Sequence, residues 1–112
     1  MLKGPNLPDC CEDALKDRMR PDLFKALCDP VRISIVATLA SRRAPSSVTD
    51  IADCCGIDFS GVSRHLKILK DAGVLVSERD GRSVLYSLNS YVLTATLRSM
   101  ADALDVCRSQ AA

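Results

Sequence analysis

The stretch Ser60-Gly-Val-Ser-Arg-His-Leu-Lys-Ile-Leu-Lys70 decides the fold of this 112-residue chain. Its apolar residues Val62, Leu66 and Leu69 recur at the spacing that places one stripe on the face of a helix. Hydroxyl and basic side chains occupy the opposite face, and no acidic residue interrupts the stretch. A helix with these two faces is suited to a DNA groove, because hydroxyls and Arg64 can reach base edges while lysines neutralise phosphates.

This segment alone is equally compatible with an ordinary solvent-exposed helix, and the residues that follow it favour DNA binding. Gly73 stands where a helix C-cap belongs, and two β-rich runs then flank Asp80-Gly81, a strong hairpin signal. Arg79 and Arg82 bracket the predicted tip, from which they would lie over phosphates or in the minor groove. The predicted DNA contacts are Ser60, Ser63, Arg64, His65, Lys67, Arg79 and Arg82.

A second short helix is predicted just upstream. Apolar residues recur with helical spacing at Val48, Ile51, Ala52 and Cys55. We expect this helix to run from about Ser47 to Cys55, with Ser46 or Ser47 as its N-cap and Gly56 as its end. Asp58 can cap the next helix, so the connection is only a few residues long, as in a helix-turn-helix. The predicted fold is mainly α with a small β-hairpin (α+β), a winged helix-turn-helix.

Two further helices complete the prediction. One begins at Asp29-Pro30, with Asp29 as the N-cap. Its predicted buried stripe is Val31, Ile35, Val36 and Leu39. The last helix begins near Asn89 or Ser90 and ends near Cys107, with an apolar stripe at Leu93, Leu97, Met100, Leu104 and Cys107. This stripe favours packing against a second copy of the chain, since two-fold dimers are the commonest assembly, and such a dimer requires a roughly palindromic DNA site.

The order of these motifs resembles the ArsR/SmtB family of metal-responsive repressors. The segment Leu23–Ile33 (LFKALCDPVRI) is similar to the family's opening signature, and Val62–Leu66 (VSRHL) to its recognition-helix motif. Gly73-Val-Leu75 and Asp80–Arg82 resemble the family's wing. The resemblance implies a cytoplasmic homodimeric repressor, paired through its first and last helices, that leaves its operator DNA when a metal or metalloid ion binds.

Bulk properties agree with a single small domain. The apolar fraction of 47% supports a core, and a net charge of +1 argues against a general polyanion binder. No apolar stretch is long enough to span a membrane, and Met1–Pro8 does not resemble a signal peptide. We expect a mobile arm over residues 1–12, the winged-helix and dimerisation domain over 13–107, and a tail over 108–112. An enzyme is disfavoured, because no nucleophile–base set accompanies the single histidine, His65.

Cysteine is the unusual feature of the composition. The six cysteines are Cys10, Cys11, Cys28, Cys54, Cys55 and Cys107. Adjacent thiols such as Cys10-Cys11 and Cys54-Cys55 rarely form a mutual disulfide, although their thiolates can share one large soft ion. We expect Cys10 and Cys11 to be ligands, with Cys55 or Cys54 as the third and Cys107 as a weaker candidate. Cys28 is predicted to be packed in the core.

Soft thiolate ligands select the class of ion. An all-thiolate site favours trivalent arsenic or antimony as the inducer, with cadmium, lead and mercury as competitors. The resemblance implies the arsenic-responsive branch with an N-terminal Cys-Cys pair. The family's His and carboxylate site on the last helix is absent, and Val48–Asp53 lacks the cysteines of its common arsenic site. The alternatives are a thiol redox or persulfide sensor on the same scaffold, and a winged-helix module that senses nothing.

Overall fold

A computed structural model of the chain describes residues 15–16 and 18–111. The elements are α1 (Pro21–Leu27), α2 (Pro30–Arg42), β1 (Ser46–Ser47), α3 (Val48–Cys55), α4 (Phe59–Asp71), β2 (Leu75–Asp80), β3 (Ser83–Leu88) and α5 (Ser90–Ala111). The described chain forms two compact units, Asp22–Val92 and, separately, residues 15–21 with 93–111. The expected fold class is confirmed: a mainly helical chain with a small antiparallel sheet.

The unit Asp22–Val92 has one apolar core, to which α1, α2, α3, α4 and β2 contribute. Its fully buried large side chains are Leu23, Ile35, Ile51, Val62, Leu66, Leu69, Val74 and Leu75. Burying one such side chain stabilises the fold by about 1.5–3 kcal/mol. The whole predicted stripe of α4 lies in this core. In α2, Ile35 and Leu39 are buried, whereas Val31 and Val36 are only half-buried.

Side-chain caps begin α2 and α3. The Asp29 carboxylate accepts hydrogen bonds from the backbone N–H groups of Val31 (2.8 Å) and Arg32 (3.3 Å) and so caps α2. Ser47 and Asp50 form a reciprocal capping box at the start of α3, and Gly56 ends that helix with a φ of 64°. Both helix boundaries agree with the sequence prediction.

The two ends of α4 differ from the prediction in detail. Asp58 occupies the N-cap position, but its side chain makes no capping hydrogen bond. At the other end, Ala72 is the C-cap and Gly73 follows it with a φ of 84°. The N–H groups of Gly73 and Val74 donate to the carbonyls of Lys70 (2.9 Å) and Leu69 (3.0 Å). These paired bonds form a Schellman motif, which turns the chain from α4 into β2.

The sheet contains a strand that the sequence did not reveal. Its order is β1-β3-β2, and both pairings are antiparallel. Asp80 pairs with Ser83, so the hairpin loop is Gly81-Arg82, one residue later than the predicted Asp-Gly turn. Ser46 pairs with Tyr86, which places β1 on the other side of β3. A two-residue strand is too short to show a periodic pattern, and Ser46 and Ser47 were therefore predicted only as capping residues.

The terminal unit contains most of α5 and the residues that precede α1. Met100 and Ala103 are buried, whereas Leu97 and Leu104 are 45% and 52% exposed. The Arg18 guanidinium lies 3.5 Å from the carbonyl oxygen of Ser99. The helix continues to Ala111, beyond its predicted end near Cys107.

The prediction that Cys28 is packed in the core is wrong. Cys28 is exposed, because α1 ends at Leu27 and a tight turn follows, in which the Cys28 N–H donates to the Lys25 carbonyl (3.2 Å). Leu27, rather than its neighbour, is half-buried. The predicted arm with Cys10 and Cys11 lies outside the described residues.

Candidate nucleic-acid interface and thiol sites

The exposed face of α4 carries the polar side chains that the sequence predicted. Ser63, Arg64 and Lys67 are exposed, directly opposite the buried stripe of the same helix. Helices α3 and α4 pack against each other and are connected by only three residues. The pair therefore has the arrangement of a helix-turn-helix. The inward stripe fixes the rotation of α4 about its axis, and this rotation directs Arg64 away from the core.

Two of these polar side chains have partners on the surface. The Ser60 hydroxyl donates to the Asp58 carboxylate (3.2 Å), and the Lys67 ammonium group donates to the Asp71 carboxylate (3.0 Å). The Lys67–Asp71 pair is exposed and therefore weak, so a DNA phosphate can compete for the lysine. Among the described residues, the Arg64 side chain makes no hydrogen bond or ion pair.

His65 is placed differently from the other predicted DNA contacts. It is half-buried, and its Nδ1 lies 3.2 Å from the Nη1 atom of Arg32 on α2. The same guanidinium donates to the carbonyls of Ala26 and Lys25 at the end of α1. The ring is thus held at the junction of three helices, and only part of it is accessible.

The hairpin presents both predicted arginines. Arg79 and Arg82 are exposed, with Arg79 paired across the hairpin to Val84 and Arg82 within the loop. Phe59, the first residue of α4, is not among the predicted DNA contacts, although it is 58% exposed beside them. It lines a groove of about 290 Å³ together with Ser47, Val48, Thr49, Arg82, Ser83, Val84 and Tyr86. The sequence signal for this exposed aromatic residue is its position immediately after Asp58, the residue expected to cap the helix.

Cys54 and Cys55 lie at the end of α3, where both thiols contact α2. Cys54 is exposed, and the Arg42 guanidinium lies 3.3 Å from its Sγ. Cys55 is half-buried, with its Sγ 3.7 Å from the hydroxyl oxygen of Thr38. The two thiols therefore sit on neighbouring parts of one helix–helix contact, each with a polar partner.

These cysteines do not complete a metal site within the part of the chain that the structure describes. No group of three or more His, Cys, Asp or Glu side chains lies close enough there to hold an ion. Cys107, the weaker candidate, is half-buried in the terminal unit. Cys10 and Cys11 fall outside the described residues, so their ligand role stays a prediction.

Comparison with known proteins identifies the family. A family described as "Helix-turn-helix domain" matches residues 27–78, which include α2, α3 and α4. The transcriptional regulator NmtR of Mycobacterium tuberculosis is 36% identical over 87 residues, covering 78% of this chain and 71% of NmtR. The chain belongs to the ArsR/SmtB family of winged helix-turn-helix transcriptional regulators. A second relative, the transcriptional repressor SmtB of the same species, is 46% identical over 72 residues, covering 64% of this chain but only 52% of SmtB.

Solved structures agree with this membership. An ArsR-like transcriptional regulator from Rhodococcus sp. RHA1 superposes with a TM-score of 0.69 at 25% identity, covering 89% of each chain. Another structure, described as a "Possible transcriptional regulator for arsenical resistance", has a TM-score of 0.58 at 25% identity. It covers 79% of this chain and 84% of that one.

The sequence disfavoured both an enzyme and a membrane-spanning protein, and the family and the structure bear on these two predictions in turn. ArsR/SmtB proteins are DNA-binding regulators rather than enzymes, which confirms that prediction for this member of the family. Among its described residues, this ArsR/SmtB regulator has no helix with the length and apolar character needed to cross a membrane.

Proposed function

We propose that this ArsR/SmtB regulator is a homodimeric repressor that binds a palindromic operator and releases it when trivalent arsenic or antimony binds cysteine thiolates. The observation that carries the proposal is the exposed face of α4, where Ser63, Arg64 and Lys67 stand opposite a fully buried stripe. These side chains would enter the major groove, and Arg79 and Arg82 of the hairpin would contact the flanking backbone or minor groove.

Repression and dimerisation are supported by separate observations. The relative SmtB, which shares 46% identity over the matched region, is a transcriptional repressor. In the single chain, α5 exposes Leu97 and Leu104, which are expected to be covered by the second copy. A two-fold dimer would place its two α4 helices in major grooves about one helical turn apart.

A binding titration tests the DNA-contacting face. Fluorescence anisotropy on the chain's own promoter DNA should show saturable binding that a scrambled duplex does not reproduce. Arg64→Ala should lose about 1–3 kcal/mol of discrimination between these duplexes if Arg64 makes a bidentate base contact. Ser41→Ala, an exposed position on α2, is the matched control and should bind as the wild type does. Unchanged discrimination in Arg64→Ala would exclude this face of α4.

The inducer is proposed from the chemistry of the thiols. Cys54 and Cys55 offer two soft donors at the end of α3, directly before the turn into the DNA-contacting helix. Cys10 and Cys11 would supply two thiolates, from the same chain or from the partner, and Cys55 or Cys54 would supply the third, because trivalent arsenic and antimony prefer three sulfur ligands. The structural neighbour described as a "Possible transcriptional regulator for arsenical resistance" supports arsenic as the inducer, and cadmium, lead and mercury are the competing ions.

Ligand substitution tests this assignment. Replacing Cys10 and Cys11 by Ser should leave operator affinity unchanged and abolish release by arsenite. Cys28→Ser is the matched control, since Cys28 is exposed at the other end of α2 and should not affect release. Release by arsenite from the double variant would show that the assigned ligands are wrong.

A second candidate function uses the same thiols without a metal. The Arg42 guanidinium lies 3.3 Å from Sγ of Cys54, and this thiol is exposed to oxidants and persulfides in solution. A redox or persulfide sensor would release DNA on treatment with peroxide or polysulfide and would ignore arsenite. The reverse response identifies the metalloid sensor.

A further inference from the structure

The contact between Arg32 and His65 joins the DNA-contacting helix to the rest of the fold. Nη1 of Arg32 lies 3.2 Å from Nδ1 of His65, although 33 residues separate them in the chain. The other two guanidinium nitrogens are also engaged, because Nε donates to the Ala26 carbonyl and Nη2 to the Lys25 carbonyl (3.3 Å). Three fixed bonds leave the guanidinium in one orientation beside the ring.

The chemistry of this contact fixes the state of the imidazole. A guanidinium group carries only hydrogen-bond donors, so the ring nitrogen facing it must be an acceptor. In this contact Nδ1 of His65 therefore takes the acceptor role. In a neutral imidazole the proton then resides on Nε2, on the far edge of the ring from Arg32.

We infer that Arg32 is a positioning residue for DNA binding: it holds His65 as the neutral Nε2–H tautomer, so that Nε2 donates a hydrogen bond to an oxygen or ring nitrogen of the DNA. The inference rests on the proposed role of α4 as the DNA-contacting helix. It assigns Arg32 a role through His65, without contact between Arg32 and the DNA.

The surroundings of the pair support this assignment. The Asp29 carboxylate accepts the backbone N–H of Arg32 (3.3 Å) and places negative charge beside the guanidinium. Ala26 and Lys25 contribute carbonyl oxygens from α1. The half-buried ring is thus fixed by α1 and α2 before any DNA arrives, and a preorganised donor loses little entropy on binding.

A double-mutant cycle tests the functional part. Arg32→Met and His65→Ala should each weaken operator binding by about 2- to 12-fold, the range of one ordinary hydrogen bond. The double variant should bind as weakly as His65→Ala alone, because Arg32 acts only through the ring. Losses that multiply in the double variant, or no loss in either single variant, would overturn the inference.

Arg43→Met is the matched control, with the same change of charge at an exposed position just after α2. It should retain wild-type operator affinity. A loss equal to that of Arg32→Met would show a general charge effect and would overturn the positioning role. Circular dichroism checks that each variant folds, and Arg32→Lys, which keeps the charge but not the three-way fork, replaces Arg32→Met if that variant unfolds.

Nitrogen NMR tests the tautomer without DNA. In the ¹⁵N-labelled free protein at neutral pH, the His65 ring should show a protonated Nε2 and an unprotonated Nδ1. Arg32→Met should give a mixture of tautomers. A protonated Nδ1 in the wild type would overturn the inference, whereas failure of the wild type to bind operator DNA would contradict only the proposed function.

Base substitutions in the operator locate the acceptor. If Nε2 donates to a phosphate oxygen, His65→Ala should weaken binding equally on all operator variants. If Nε2 contacts a base edge, the loss should vanish when that one base pair is changed. Either pattern supports the donor role, and a gain of affinity in His65→Ala would contradict it.

Discussion

At the residue scale, the basic side chains Lys67 and Arg64 of α4 differ in whether they form an ion pair. Lys67 is held by Asp71 at 3.0 Å, whereas the Arg64 side chain has no hydrogen-bond partner among the described residues. Lys67 must exchange the Asp71 carboxylate for a phosphate when it binds DNA, whereas Arg64 can bind DNA without such an exchange. This difference predicts that Lys67 contributes less to affinity than its position suggests.

Asp71→Asn should therefore strengthen DNA binding, because it releases Lys67 for a phosphate. The slope of log affinity against log salt concentration should steepen by at most about 0.9, the value for one whole phosphate contact, because a phosphate already competes for Lys67 in the wild type. Asp105→Asn removes the same charge from an exposed pair with Arg108 on α5 and is the matched control. Anisotropy titrations at several salt concentrations measure both, and equal slopes in the two variants would contradict the account.

Asp29 gives the fold a defined dependence on pH. Partial burial acts to raise the pKa of this carboxyl, but hydrogen bonds from the backbone of Arg32 and Val31, together with the charge of Arg32, outweigh it and hold the pKa below its ordinary value of 3.8. A lowered pKa means that the ionised carboxylate stabilises the folded state above that pH. The stabilisation is lost as the pH falls through the lowered value.

Asp29→Asn isolates this charge, since asparagine also caps helices well. The variant should unfold more readily than the wild type at neutral pH, and the difference should close as the pH falls below 3.8. Urea denaturation at a series of pH values gives the free energies of unfolding. A difference that persists unchanged at the lowest pH would show that the carboxylate charge is not the cause.

At the element scale, the end of α4 depends on backbone conformation. Gly73 has a φ of 84°, and a Cβ built there would meet no atom within 4 Å. The cost of a side chain at this position is thus conformational rather than steric. Gly61 lies inside α4 without a positive φ, and a Cβ there would meet only ordinary contacts at 3.8 Å.

The two glycines should respond oppositely to alanine. Gly73→Ala should lower the free energy of unfolding by about 1–2 kcal/mol, the cost of a left-handed L-residue. Gly61→Ala should raise it by about 0.5–1 kcal/mol, because alanine is the better helix former. Thermal denaturation of both variants checks the pair, and the same sign in both would show that helix conformation does not govern these positions.

Local patterns made most elements predictable. A few neighbouring residues were enough to predict the helix with the stripe Val62, Leu66 and Leu69. The same holds for the hairpin, which is predicted by the β-rich runs on either side of Asp80-Gly81. Partnerships between distant segments could not be read in this way. The pairing of β1 with β3 and the contact of His65 with Arg32 depend on the assembled core, which no single window of sequence contains.

At the scale of the whole molecule, the dimer prediction depends on α5. Leu97→Lys should dissociate the dimer, because a stripe residue that is 45% exposed in the single chain would place a charge in the interface. Asp102→Lys, exposed on another face of α5, is the matched control and should remain dimeric. Sedimentation equilibrium measures the mass of each variant, and a dimeric Leu97→Lys would contradict the assigned interface.

The candidate sites were predictable to different extents. The exposed positions of Arg64, Arg79 and Arg82 could be predicted from sequence, since a polar face opposite a buried stripe and the tip of a hairpin are local features. The partners of Ser60 and Lys67 could not, because they depend on the rotamers of neighbouring carboxylates. The proposed thiol site requires Cys10 and Cys11 to reach Cys55 or Cys54, and the sequence pattern does not determine whether they do.

The most direct test of the account is an arsenite titration of the reduced protein bound to labelled operator DNA, followed by anisotropy, with zinc in parallel. Arsenite should lower operator affinity by about 5- to 150-fold, the usual range of coupling between two sites, and zinc should not. Operator binding that neither arsenite nor zinc alters would contradict release by a soft ion on cysteine thiolates.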